Sequence, residues 1–181
     1  MPIGEQVRLV RTAKNMSQVE LSNAFLHLRD RNGLVSKIEN DRISPDSDVL
    51  TQLARALDVS PSFLQQGCAD ALATRPWLRA YADASARRVE SVLADNLLHH
   101  GVMEGLGVRR MPARIPRFDA DANDDEAIED FALEVRQAAD VPDGNPVGNA
   151  IRAAERLGCV VLPIMDELGR HLGLSQYVSG T

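Results

Sequence analysis

Residues 17–64 read SQVELSNAFLHLRDRNGLVSKIENDRISPDSDVLTQLARALDVSPSFL, and the punctuation of this stretch decides the fold. Ser17 followed by Glu20 is a capping box: the hydroxyl takes an orphan amide of the first turn while the carboxylate reaches back to the N–H of Ser17. Leu21, Ala24, Phe25 and Leu28 then recur at helical spacing, the inward face of a second helix. A third helix is expected to start between Asp30 and Asn32, to turn Val35 and Ile38 inward, and to stop at Asn40 and Asp41. Ser44-Pro45-Asp46-Ser47 caps a fourth, with Val49, Leu50, Leu53 and Leu57 as its stripe. Ser60-Pro61, a cap followed by proline at the first helical position, opens a short fifth helix containing Phe63 and Leu64. Upstream, Ile3, Val7 and Val10 mark a first helix ending near Asn15. Five short helices in residues 1–67 make a compact all-α domain.

The whole chain has 181 residues, 44% hydrophobic and 25% charged, a composition that buries a core without staples. With 4 Phe, 2 Tyr and 1 Trp it is too poor in aromatics for an all-β sandwich and suits Leu/Ala/Val-packed helices. No apolar run approaches the roughly 18 residues of a membrane span, and MPIGEQVRLVRTAKN lacks the apolar core of a signal peptide. Cys68 and Cys159 are too isolated for a disulfide framework or a metal knuckle; they read as small buried residues of a cytoplasmic protein. No cofactor is expected.

The net charge of −6 is unevenly spread. Residues 1–67 balance eight Lys/Arg against eight Asp/Glu, 107–118 carry four Arg and no acid, and 119–181 hold four basic against thirteen acidic residues. The acidity therefore sits at the C-terminal end, which leaves the first third free to present a local basic face to phosphates.

The elements Ser17-Gln18, Leu21, Val35-Ser36-Lys37-Ile38-Glu39-Asn40, Pro45 and Leu53 through Phe63 together resemble the XRE family of helix-turn-helix regulators, relatives of the lambdoid phage repressors, over about residues 4–66. One departure concerns the nine residues LHLRDRNGL between Phe25 and Val35, where the family has six; the start of the reading helix is shifted or looped accordingly. In such a pair the second helix lies in the major groove with its N-terminal residues against base edges. The resemblance implies Asn32, Gly33 and Lys37 as base-reading positions: Asn32 suits an adenine edge, Lys37 a guanine, and Gly33 offers only close approach. It implies Ser17, Gln18, Arg31, Ser36, Asn40 and Arg42 as phosphate contacts, with Arg29 as a further candidate depending on how the insertion folds. Glu39 reads as a local helix-stabilising partner, because a carboxylate facing phosphate is repelled.

Residues 68–106 read as a connecting segment dominated by one long helix from Pro76 to Gly105, with Leu78, Tyr81, Val89, Val92, Leu93 and Leu97 at three-four spacing. That stripe is either intrachain core or a dimer seam, and both readings stay open; dimerisation has its own motive, since one reading helix covers only a half-site. The pair His99-His100 points two ways on a helix and no third ligand stands near it in sequence, so it reads as a helix-end feature facing the C-terminal dipole rather than a metal site. Residues 107–124 are a linker. The segment 125–181 resembles the opening of the ImmA/IrrE family: a helix with Ala132, Leu133 and Arg136, then Asn145-Pro146-Val147 starting a second helix, Leu157-Gly158-Cys159-Val160-Val161 turning into a strand, and Gly173-Leu174-Ser175-Gln176-Tyr177. That family carries a zinc-binding His-Glu-x-x-His, which is missing here; Asp166 through His171 has the wrong spacing.

The expected architecture is therefore mainly α: a five-helix lambda-repressor-like domain, a long connecting helix, and a small α(+β) segment resembling the start of an ImmA/IrrE domain without its zinc motif. The expected function is a non-enzymatic, sequence-specific double-stranded-DNA-binding regulator of bacterial or phage origin, a repressor acting as a homodimer without membrane contact. Two alternatives stand beside it. One is the N-terminal piece of a longer regulator–metallopeptidase fusion. The other is an antitoxin or immunity protein that autoregulates and binds a protein partner through its acidic C-terminal segment.

Overall fold

The computed structural model describes residues 3–24, 33–66, 72–73, 77–80, 85–108, 112–164 and 171–179. Contacts divide the chain into one unit of residues 1–107 with 164–181 and another of 108–163.

The first unit begins with five short helices: α1 (Ile3–Ala13), α2 (Gln18–Ala24), α3 (Leu34–Glu39), α4 (Ser47–Ala56) and α5 (Pro61–Gln66). Their starts follow the sequence. Ser17 Oγ accepts from the Glu20 amide at 3.1 Å while Glu20 accepts from the Ser17 amide at 2.6 Å. Asp46 accepts from the Val49 amide at 2.8 Å, and Ser60 from the Phe63 amide at 3.1 Å. Each satisfies a donor that the first turn leaves without a partner. The ends share a device: Asn15, Asp41 and Asp58 adopt left-handed φ of 53°, 53° and 50°, so that the next residue's amide reaches back to the carbonyls of Arg11, Lys37 and Ala54.

These helices enclose one core. Val7, Val10, Leu21, Val35, Ile38, Val49, Leu50, Leu53, Ala54, Leu57 and Leu64 are buried together, with Ile3, Met16, Leu34, Phe63 and Leu98 packed against them. Of the expected inward residues of α2, Leu21 is buried and Ala24 exposed, while Phe25, Leu28 and the neighbouring His27 lie outside the described residues. Gly4 marks the tightest approach. A Cβ there would stand 2.1 Å from the Ile38 carbonyl oxygen, so α1 meets the end of α3 with no room for a side chain.

The long helix differs from expectation. Residues 77–80 form a strand, and the helix α6 (Ala86–Gly105) starts only at Ala86 behind Ser85. Strands β1 (Leu72–Ala73) and β2 (Trp77–Ala80) pair antiparallel with β4 (Val178–Ser179) and β3 (His171–Ser175), in that order. Leu78, expected on the helical stripe, is therefore a strand residue facing Leu174 in register, and Tyr81 lies outside the described residues. A four-residue stretch does not separate helix from strand by periodicity, and the pairing partner is more than ninety residues away in sequence. The face that α6 buries also differs: Ser91 and Ala94 are buried and Leu98 joins the core, while Val89, Val92, Leu93 and Leu97 are half-buried. Among the described elements α6 packs against α1 of the same chain.

The second unit holds α7 (Asp125–Ala138) and α8 (Ala150–Arg156). Asp124 caps α7 through the Ala127 amide and Asn149 caps α8 through the Arg152 amide. The helix expected at Asn145 thus starts at Ala150, and the turn into a strand expected over Leu157 to Val161 is not formed: residues 159–164 follow α8 without regular structure. Phe118 and Phe131 stack at a centroid distance of 5.1 Å. Gly158, at φ 86°, lies against the backbone of Pro112 and Ala113, beside an Arg114 amide that donates to the Leu157 carbonyl at 2.9 Å.

Candidate nucleic-acid interface

The geometry of α3 follows from its burial pattern. Val35, Ile38 and Glu39 point into the core, half-buried Leu34 packs against it, and the remaining exposed or half-exposed positions are Gly33, Ser36, Lys37 and Asn40. Those four stand at i, i+3, i+4 and i+7, one stripe of a helix. Four of the residues singled out from the sequence therefore share a single outward face. The start of the helix is later than expected: Gly33 is its cap, at φ 77°, and its carbonyl accepts the first helical bond, from Lys37 at 2.9 Å. A side chain at residue 33 would meet no atom of the described residues within 4 Å, and the left-handed backbone conformation there favours glycine. Asn32, Arg31 and Arg29 lie outside the described residues.

A buried carboxylate holds this face in place. Glu39, only 2% exposed in its side chain, pairs with Arg11 of α1 through Oε1 at 2.5 Å and Oε2 at 3.1 Å. Gln18 of α2 donates to the same carboxylate at 2.7 Å, and Arg11 donates onward to the Met16 carbonyl at 2.6 Å. One bidentate, fully partnered charge thus ties α1, α2 and α3 together. Glu39 is not the local helix partner that its sequence neighbours suggested: its partners lie 28 and 21 residues away. Arg11 was missed for the same reason, because it falls between the apolar positions of α1 and nothing local marks it.

The remaining phosphate candidates are placed as follows. Ser17 is half-buried in its capping box, and Gln18 is exposed at the start of α2 while lending its amide to Glu39. Asn40 donates to the Ser36 carbonyl at 2.7 Å, closing the end of α3, and Arg42 is exposed just beyond it. Two apolar side chains beside these groups had no sequence signal. Val19 is 67% exposed in the first turn of α2, and Ile43 is 42% exposed next to Arg42.

Glu20 is held at a pKa of about 2, chiefly by the hydrogen bond from the Ser17 amide, then by the Ser17 hydroxyl and by Arg87. It remains a carboxylate at every pH at which the fold is of interest.

Residues 32–64 match the helix-turn-helix family model. The matched stretch runs from the cap of α3 through α4 to α5, and modules of this family bind double-stranded DNA in transcription regulators. A comparison with curated proteins and with solved structures finds no match. The match stops at Leu64, so the ImmA/IrrE resemblance of 125–181 rests on its sequence pattern alone.

Away from this face, His99 stands 3.5 Å from the Asp95 carboxylate and His100 3.8 Å from that of Glu104. Carboxylates one turn away thus flank both rings, and both lie ahead of the last turn of α6 and not at its end. Among the described residues no three His, Cys, Asp or Glu side chains gather as metal ligands, and no helix is long and apolar enough to cross a membrane. Cys159 is a half-buried free thiol, and Cys68 lies outside the described residues. The near-match Asp166 through His171 also falls outside them, save His171 in β3.

Proposed function

We propose that this chain is a sequence-specific DNA-binding transcription regulator, a repressor that docks α3 in the major groove as a homodimer. The observation that carries the reading is the outward stripe Gly33, Ser36, Lys37 and Asn40 on a helix whose opposite side is locked by Glu39. Lys37 reads a base edge together with Asn32, two residues ahead of the helix in sequence, and Gly33 lets the backbone approach closely. Ser17, Gln18, Ser36, Asn40 and Arg42 hold phosphates, with Arg29 and Arg31 supplied by the segment between α2 and α3. Two-fold pairing doubles the contact of one half-site, with the half-buried side chains Val89, Val92, Leu93 and Leu97 of α6 as its seam. Residues 125–181 serve assembly or signal reception.

Selection of bound duplexes from a random pool tests this reading directly. A selected site with two half-sites about one helical turn apart is the expected result. Lys37→Ala then loses about 1–3 kcal/mol of preference for that site over its variants. Arg42→Ala weakens all duplexes alike and flattens the salt dependence. Failure to enrich any duplex at low ionic strength refutes the proposal.

A further inference from the structure

Three carbonyls around the α1–α2 turn accept hydrogen bonds from side chains, two of them from far along the chain. Ser91 Oγ donates to Ala13 O at 2.8 Å, Arg87 donates to Asn15 O, and Arg11 donates to Met16 O at 2.6 Å. Two of these donors belong to α6, outside the matched helix-turn-helix segment. Arg87 also reaches Glu20 Oε2 at 3.1 Å, the same oxygen that accepts the Ser17 amide at 2.6 Å. Its guanidinium therefore bridges the end of α1 and the capping box that starts α2. Arg87, Ser91, Ala94 and Leu98 stand at i, i+4, i+7 and i+11 and form the inward edge of α6.

This contact is in the wrong place to be an ordinary stability device. The Arg87 and Glu20 side chains are 55% and 57% exposed, and ion pairs that open to water stabilise little. Its geometry is nonetheless specific, because a single guanidinium nitrogen, Nη2, donates to both a carbonyl and a carboxylate. What it fixes is the first turn of α2, where Ser17 and Gln18 stand. Groups that contact a rigid duplex must be held to within about 0.5 Å.

We propose that Arg87 is a positioning residue for DNA binding: by clamping the α1–α2 turn to α6 it sets the placement of Ser17 and Gln18, and so makes α6 part of the DNA-binding machinery. The proposal rests on the reading of α2 and α3 as the DNA face. Its consequence is a route for regulation, since any partner or modification that shifts α6 releases the start of α2.

The test uses the full chain, the duplex selected above, and titrations by fluorescence anisotropy over a range of salt. Arg87→Ala is expected to weaken binding roughly two- to fivefold with an unchanged salt slope, as fits an exposed pair acting through its neighbour. Arg87→Lys, which keeps the charge but ends one bond short of the position of Nη2, should not recover the affinity. In the double variant with Gln18→Ala the two losses should combine to less than their product. In the free protein, amide exchange at residues 17–21 should quicken in Arg87→Ala, a readout independent of DNA. Wild-type affinity in Arg87→Ala, or unchanged amide exchange, overturns the proposal. So does full recovery by lysine with a salt slope reduced by about 0.9 in the alanine variant, which would make Arg87 a phosphate ligand itself. Should the wild-type chain bind no duplex while exchange quickens as expected, the clamp stands as structure and the DNA reading is what fails.

Discussion

The five-helix block and residues 108–163 are held together by different means. In the block, eleven apolar side chains from all five helices close on one another. In 108–163 the buried apolar residues among those described are Ala139 and Leu157, while Ile115, Ile128, Leu133, Val147, Ile151 and Val160 are each more than 40% exposed. Polar latches take the place of a core there. Arg136 donates to the carbonyls of Pro142 and Asn145, Arg156 donates to those of Ala139 and Asp140, and Asp140 ends α7 in the left-handed conformation. The lesson is that equal helical regularity need not mean equal stability. Caps and arginine latches define a backbone, while burial of apolar surface supplies most of the free energy.

The largest expected effect lies in the block. Glu39→Ala strands the Arg11 guanidinium, 12% exposed, and should cost about 3–5 kcal/mol in denaturant unfolding. A loss under about 1 kcal/mol would mean that Arg11 finds water in place of its partner.

Next comes a matched pair that sets the two regions side by side. Leu53→Ala, at 0% exposure, should cost about 2–5 kcal/mol, whereas Leu133→Ala, at 46%, should change stability by less than about 0.5 kcal/mol. Comparable losses in urea titrations would show that α7 has an apolar partner on that side and erase the contrast.

The smallest effect tests a flaw in the better-packed region. Gln6 is 2% exposed; its amide donates to the Phe63 carbonyl at 3.5 Å, and its own oxygen is buried without a hydrogen bond. Gln6→Leu should raise the unfolding free energy by up to about 1 kcal/mol, moving the midpoint with the slope unchanged, because burying an unsatisfied amide oxygen is costly. A loss of that size instead would make the weak Phe63 bond the reason glutamine stands there.

What could be read from sequence were the features that act within a turn or two. Ser17 with Glu20, Asp46 and Ser60 announced three helix starts, and the stripes through Val7, Val35 and Val49 announced three buried faces. Lys37 and Asn40 were singled out through the family resemblance, and the outward stripe of α3 on which they stand agrees with the inward stripe of Val35 and Ile38. Helix boundaries were less legible. Gly33 moved the start of α3 because its left-handed backbone costs nothing, and the expected helix over 77–85 yielded at 77–80 to a strand whose partner, 171–175, is remote. The Arg11–Glu39 and Arg87–Glu20 pairs were invisible, since each joins residues 28 or 67 apart and leaves no periodic trace.

By itself the sequence determined where α2, α4 and α5 cap and which faces of α1, α3 and α4 are apolar, because hydrogen bonding and side-chain spacing within one turn are local. Only the tertiary structure decided that Glu39 is a buried anchor, that α6 turns Arg87 and Ser91 onto the α1–α2 turn, and that 72–80 pairs with 171–179. Those outcomes depend on which distant surfaces meet, and that is settled by packing the whole chain.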